Sequence, residues 1–125
     1  MGFLLATTIR LAELAMLPDD WYDEKSLALN VEALAHAFRV AIEIARIRDA
    51  IPRPSVVPCT DGGVQWEWNC GRRYLQIDIE PDGMTAMTYD DDDDVYTHPK
   101  CATPRDALAL IDWVEQNDNK NGIAQ

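Results

Sequence analysis

The stretch Val64-Gln65-Trp66-Glu67-Trp68, followed after a glycine turn by Leu75-Gln76-Ile77-Asp78-Ile79-Glu80, decides how this chain folds. Apolar and polar residues alternate in both segments, and successive side chains of a strand point to opposite faces. Each segment therefore reads as a strand with Val, Trp, Leu and Ile on one side and Gln, Glu and Asp on the other. Turn signals bound them at Asp61-Gly62-Gly63, Asn69-Cys70-Gly71 and Pro81-Asp82-Gly83, where the glycines suit tight turns. Val56-Val57 before them and Met84 to Tyr89 after them complete four short antiparallel strands, with Val95 to Thr97 a candidate fifth. Pro58 suits an edge strand, because proline has no N–H to give a ladder.

Helical patterns flank this meander. Phe3 to Leu17 contains no Gly or Pro and carries Leu5, Ile9, Ala12 and Met16 at helical spacing, which predicts a first helix. Pro18 to Asp23 interrupts it with Trp21 and Tyr22, two aromatics expected to fold back onto the core. A second helix starts from Ser26 or Asn30 as N-cap and runs to about Asp49, because Pro52 and Pro54 forbid continuation. Its polar residues Glu32, His36, Arg39, Glu43 and Arg46 fall in one stripe, which places His36 toward solvent. The remaining surface is apolar over more than half the circumference, as expected of a central helix packed on the sheet and on another helix. Thr103-Pro104-Arg105-Asp106 opens a last helix, with Thr as cap, Pro at the first position and Asp in the first turn. It is expected to end near Gln116.

The predicted architecture is a single α+β domain over residues 1–125. Two helices occupy 1–53, an antiparallel sheet of four or five strands 54–99 and a closing helix 100–117, with 118–125 a frayed tail and the helices on one face of the sheet. Hydrophobic residues make up 47% and charged residues 26% of the chain, the balance of a folded protein. Three cysteines without paired spacing argue against a disulfide framework and for reduced thiols. The opening residues lack a basic segment of the kind that begins a targeting signal, and no run approaches the roughly 20 apolar residues that span a bilayer. A cytoplasmic protein is expected.

Charge is the other informative property. The net charge is −11, and residues 54–99 alone hold ten acids against two bases. This repels nucleic-acid phosphates and anionic membranes and favours a basic partner. The acidic side of the meander, Gln65, Glu67, Gln76, Asp78 and Glu80 with Tyr74 among them, and the run Asp90, Asp91, Asp92, Asp93 and Asp94 are the candidate partner-binding residues. Trp66 and Trp68 share the opposite side and are expected under the helices.

Catalytic and metal readings have weaker support. Counted from Asp90, a calcium-binding loop of the EF-hand type needs Gly at its sixth position and Glu at its twelfth, where the chain has Val95 and Cys101. The aspartate run is more simply a solvated tip whose like charges keep an edge strand from pairing. His98 and Cys101 have one close spacing of the kind a structural zinc site usually shows twice, and Cys59 and Cys70 do not supply the second. No Cys-His or nucleophile-elbow signature is present, and carboxylate pairs have little diagnostic value among 22 acids. The sequence therefore leans away from an enzyme, offers no catalytic residue and calls for no cofactor.

Pro58-Cys59-Thr60-Asp61-Gly62-Gly63-Val64-Gln65-Trp66-Glu67-Trp68, followed by Leu75-Gln76-Ile77-Asp78-Ile79-Glu80-Pro81-Asp82-Gly83, resembles a group of small uncharacterised bacterial and phage proteins. In that group a P-x-x-DGG-x-Q-x-EW strand precedes an L-x-I-x-I-x-PDG strand, and a Trp-containing loop like Leu17-Pro18-Asp19-Asp20-Trp21 precedes a long helix. The resemblance covers roughly residues 17–83 and brings no activity, cofactor or catalytic residue with it. From composition, the expected function is a non-enzymatic interaction module that binds a basic protein surface, as antitoxins, immunity proteins and anti-defence inhibitors do. The alternative is a domain for a small ligand or a divalent cation.

Overall fold

The computed structural model describes residues 2–123, with side chains through Gln116 in the last helix. The elements in order are α1 (Phe3–Leu14), α2 (Val31–Ile47), β1 (Ser55–Pro58), β2 (Val64–Cys70), β3 (Arg73–Glu80), β4 (Gly83–Asp90), β5 (Val95–Thr97) and α3 (Pro104–Ile123). The strands form one antiparallel sheet in the order β1-β2-β3-β4-β5. The register sets Trp66 opposite Ile77 and Ile77 opposite Ala86, so one face gathers Val64, Trp66, Trp68, Leu75, Ile77 and Ile79, all buried. The helices pack over this face: α1 on β1, and α2 and α3 on β2 and β3. The result is the expected α+β fold. Trp66 sits at its centre, edge-on to Phe3 and to Trp68 at ring separations of 6.0 and 6.2 Å, the geometry in which aromatic quadrupoles attract.

Local chemistry fixes the helix starts. Asn30 caps α2, its side-chain oxygen accepting from the N–H groups of Glu32 and Ala33 at 2.8 and 3.1 Å. Ser26 is buried and closes a turn with Asp23 instead. At α3, the N–H of Asp106 donates to Thr103 Oγ1 at 3.1 Å while its carboxylate accepts from the N–H groups of Ala102 and Thr103, a reciprocal cap. α2 touches α1, α3, β2 and β3, which makes it the central helix.

Several expectations are corrected. α1 ends at Leu14, and its stripe Leu5, Ile9, Ala12 and Met16 faces outward, Met16 being 83% exposed. The buried stripe is Phe3, Thr7, Leu11 and Leu14, because it brings Phe3 against Trp66. Tyr22 does not fold onto the core; it is 73% exposed, and its loop is held by Trp21 Nε1 donating to the Leu27 carbonyl at 2.8 Å. His36 is not a solvent-facing residue either. It is half-buried, and its Nδ1–H donates to the backbone carbonyl of Glu80 at 2.7 Å, tying α2 to the end of β3. α3 runs on to Ile123, past the end expected near Gln116; of the tail expected over 118–125, residues 124–125 lie outside those described. Among the described residues no helix is long and apolar enough to cross a membrane.

Candidate functional site

Among the described residues no helix packs on the opposite face of the sheet, and register arranges that face in three rows. Gln65, Asp78 and Thr85 form the first, Glu67, Gln76 and Met87 the second, and Asn69, Tyr74, Tyr89 and Tyr96 the third. The candidate residues Gln65, Glu67, Gln76, Asp78 and Glu80 all belong to this face or its end. Side chains link the first four, through Tyr74, into one chain of hydrogen bonds that does not include Glu80. Gln65 donates to Glu67, Tyr74 Oη lies 3.1 Å from Glu67 Oε1 and 2.9 Å from Gln76 Oε1, and Gln76 Nε2 donates to both Asp78 oxygens at 3.3 and 3.2 Å. Such a network presets the orientation of its carboxylates.

Electrostatics within the face are unfavourable to its own charges. Burial pushes the Asp78 carboxyl above its ordinary pKa; the hydrogen bond from Gln76 opposes this, and the charges of Asp61 and Glu67 add to it. Glu80 is raised in the same way by burial and by Asp61, Asp78 and Asp82. Cys59, at the same end of the sheet, is pushed up to about 12 by burial and by Asp78, Asp61 and Glu80, and Cys101 up to about 11 by burial. Neither thiol supplies a thiolate nucleophile at neutral pH. The described residues contain no group of three or more His, Cys, Asp and Glu placed to hold a metal ion.

The five aspartates of the β4–β5 hairpin do not act as one acidic tip. Asp90 turns to the helix side, where Arg73 Nε donates to it at 2.9 Å and the Asp92 N–H caps its other oxygen at 3.0 Å. Asp92 pairs with Arg72. Asp94, with a left-handed φ of 53°, accepts from Tyr89 Oη at 2.7 Å. Asp91 and Asp93 are exposed on the turn.

Beyond Tyr74, the third row is the part that sequence reasoning missed. Tyr89 and Tyr96 stack with ring centroids 4.6 Å apart, and together with Tyr74, Met87, Arg72 and Asp91 they line a hollow of about 410 Å³. The signal was available, because the alternation of β4 sends Thr85, Met87 and Tyr89 to the side opposite Met84, Ala86 and Thr88.

No family model, curated protein or solved structure matches the chain. The open face therefore has to be read from its own chemistry.

A pH dependence follows. A carboxyl whose pKa is raised by folding holds its proton more tightly in the folded state, so acidification from neutral pH stabilises the fold. The reverse applies to Asp90, held low by the Asp92 N–H and Arg73, and to Asp106, held low by the Ala102 N–H. Their contribution is lost as pH falls through the lower pKa values. Urea midpoints are expected to peak at mildly acidic pH, above the ordinary carboxylate range, and Asp78→Asn should raise the neutral-pH midpoint and flatten the rise toward the peak. A wild-type midpoint that falls monotonically from pH 7 would exclude this.

Proposed function

We propose that this chain is a non-enzymatic interaction module whose open sheet face binds a basic protein segment. The observation that carries the reading is a face free of helices among the described residues, on which Glu67 adjoins Tyr74 of the third row and Asp78 and Glu80 continue the acidic surface along β3. Asp78 and Glu80, whose charged forms are disfavoured by burial and by neighbouring carboxylates, gain from an incoming cation, and tyrosine faces attract guanidinium and ammonium groups. The net charge of −11 steers such a partner at long range. A role as a soluble inhibitor of a basic, nucleic-acid-binding protein, of the antitoxin or immunity type, fits this chemistry. The hollow beside Tyr74, at about 410 Å³, also falls within the size range of small-ligand sites and favours a compact aromatic or cationic ligand as the second reading.

Hexa-arginine amide serves as the probe, titrated by calorimetry. Affinity should fall steeply with added salt, and Glu67→Gln combined with Asp78→Asn should weaken it by roughly tenfold or more. Both carboxamides keep the hydrogen-bonding shape of the face while removing its charge. Binding that is insensitive to salt and to the double substitution would overturn the reading.

A further inference from the structure

Half of the eight arginines in this chain are taken up by carboxylate. Arg46 pairs with Glu43, Arg48 with Asp112 and Glu115, Arg72 with Asp92 and Arg73 with Asp90. With 22 acids against 11 bases, that is the expected fate of a guanidinium. Arg10, Arg39, Arg53 and Arg105 form no ion pair among the described residues, and two of these four, Arg10 and Arg53, line one hollow of about 330 Å³ between α1 and β1. Thr7, Ala6, Pro54 and Val56 complete its walls.

Two details give this hollow the character of a built site. Arg10 Nε donates to the Val56 carbonyl at 3.1 Å, which fixes the guanidinium at the edge of β1 and leaves its two terminal nitrogens to point elsewhere. Thr7, one helical turn before Arg10 and only 2% exposed, has a buried hydroxyl with no hydrogen-bond partner. Its neighbour Thr8 shows the ordinary solution, donating back to the Leu5 carbonyl at 3.0 Å. A buried hydroxyl left unpaired is uncommon, because its lost hydration is uncompensated.

We propose that this hollow binds the phosphate group of a small phosphate monoester, with Arg10 and Arg53 on its oxygens and Thr7 Oγ1 donating to a third. Planar guanidinium forks match tetrahedral oxyanions in charge and in geometry. The space exceeds what inorganic phosphate needs, and Ala6, Pro54 and Val56 offer apolar contact to the esterified group. The overall charge of −11 opposes a polynucleotide here, so the ligand is small. This surface is separate from the open sheet face, and the proposal stands or falls independently of the partner reading.

The test uses NMR titration of the full chain with inorganic phosphate and with phenyl phosphate, against sodium chloride at matched ionic strength. Saturable shifts at Thr7, Arg10 and Arg53, with phenyl phosphate binding more tightly than phosphate, are expected. Arg53→Gln, an exposed position with no described hydrogen bond, should weaken phenyl phosphate by roughly tenfold or more, and Thr7→Val should weaken it while preserving the fold. Equal affinity for the two anions would leave free phosphate as the ligand and overturn the monoester assignment. Shifts reproduced by chloride, or an affinity unchanged in Arg53→Gln, would overturn the site itself.

Discussion

Replacing Arg73 with methionine is expected to lower the free energy of unfolding by about 2–4 kcal/mol, more than any other single change at the aspartate end of the sheet. Arg73 is 14% exposed in its side chain and makes three interactions at once, with Asp90 and Trp113. Its Nε donates to Asp90 Oδ2 at 2.9 Å, Nη1 donates to the Trp113 carbonyl at 2.6 Å, and the guanidinium lies 4.6 Å over the Trp113 ring. One side chain thereby joins the start of β3, the end of β4 and the middle of α3. Methionine keeps much of the volume and contact but leaves a half-buried carboxylate without its cation. Lysine is expected to recover only part of the loss, since a single ammonium cannot serve both directions or stack as a plane. Arg72→Met makes the comparison, because its pair with Asp92 is the more exposed one, and such pairs are worth about 1 kcal/mol or less. Urea denaturation measures the difference, and hydrogen exchange should show α3 amides losing protection first. Equal losses for the two arginines would sink the argument.

The same cluster shows where sequence reading reaches its limit. Strand alternation is a local property, so Trp66 and Ile77 on one side and Glu67 and Asp78 on the other were legible without coordinates. Which aspartates remain free to meet a partner was not, because their neutralisation depends on Arg72 and Arg73 lying across the β3–β4 pairing. α1 failed for a related reason: Leu5-Ile9-Ala12-Met16 and Phe3-Thr7-Leu11-Leu14 both obey helical spacing, and only the position of Trp66 chooses between them. His36 belongs by spacing to a charged stripe, yet a ring at that position reaches the Glu80 carbonyl. The tyrosine row needed the registers of three strands at once. Local periodicity thus identified the elements and the two faces of the strands, while long-range packing chose the buried face of α1 and decided what the open sheet face exposes.

Gly62→Ala is expected to destabilise the fold by about 2–4 kcal/mol, and the reason lies at the other end of the sheet. Gly62 has φ of +98°, a backbone conformation that a side chain strongly disfavours. A methyl group there would also stand 3.2 Å from the Ala28 carbonyl oxygen and 3.5 Å from the Asn30 nitrogen, both backbone atoms that cannot swing aside. Those contacts exist because the segment before α2 docks on this turn, with the Asn30 N–H donating to the Gly62 carbonyl at 2.8 Å and the Leu27 N–H to the Thr60 carbonyl at 2.9 Å. Asn30 is the cap of α2, so a displaced turn moves the start of the central helix. His36 lies less than two turns further on, and its bond to the Glu80 carbonyl carries the disturbance to the acidic end of the open face. Gly83→Ala isolates the effect, since that glycine opens β4 without a positive φ and its methyl would meet nothing within 4 Å. Its change should stay within about 0.5 kcal/mol. If the two alanines prove equally mild, the Asp61-Gly62-Gly63 motif is only a turn; if they separate as argued, Gly62 is required by the close approach of the α2 cap.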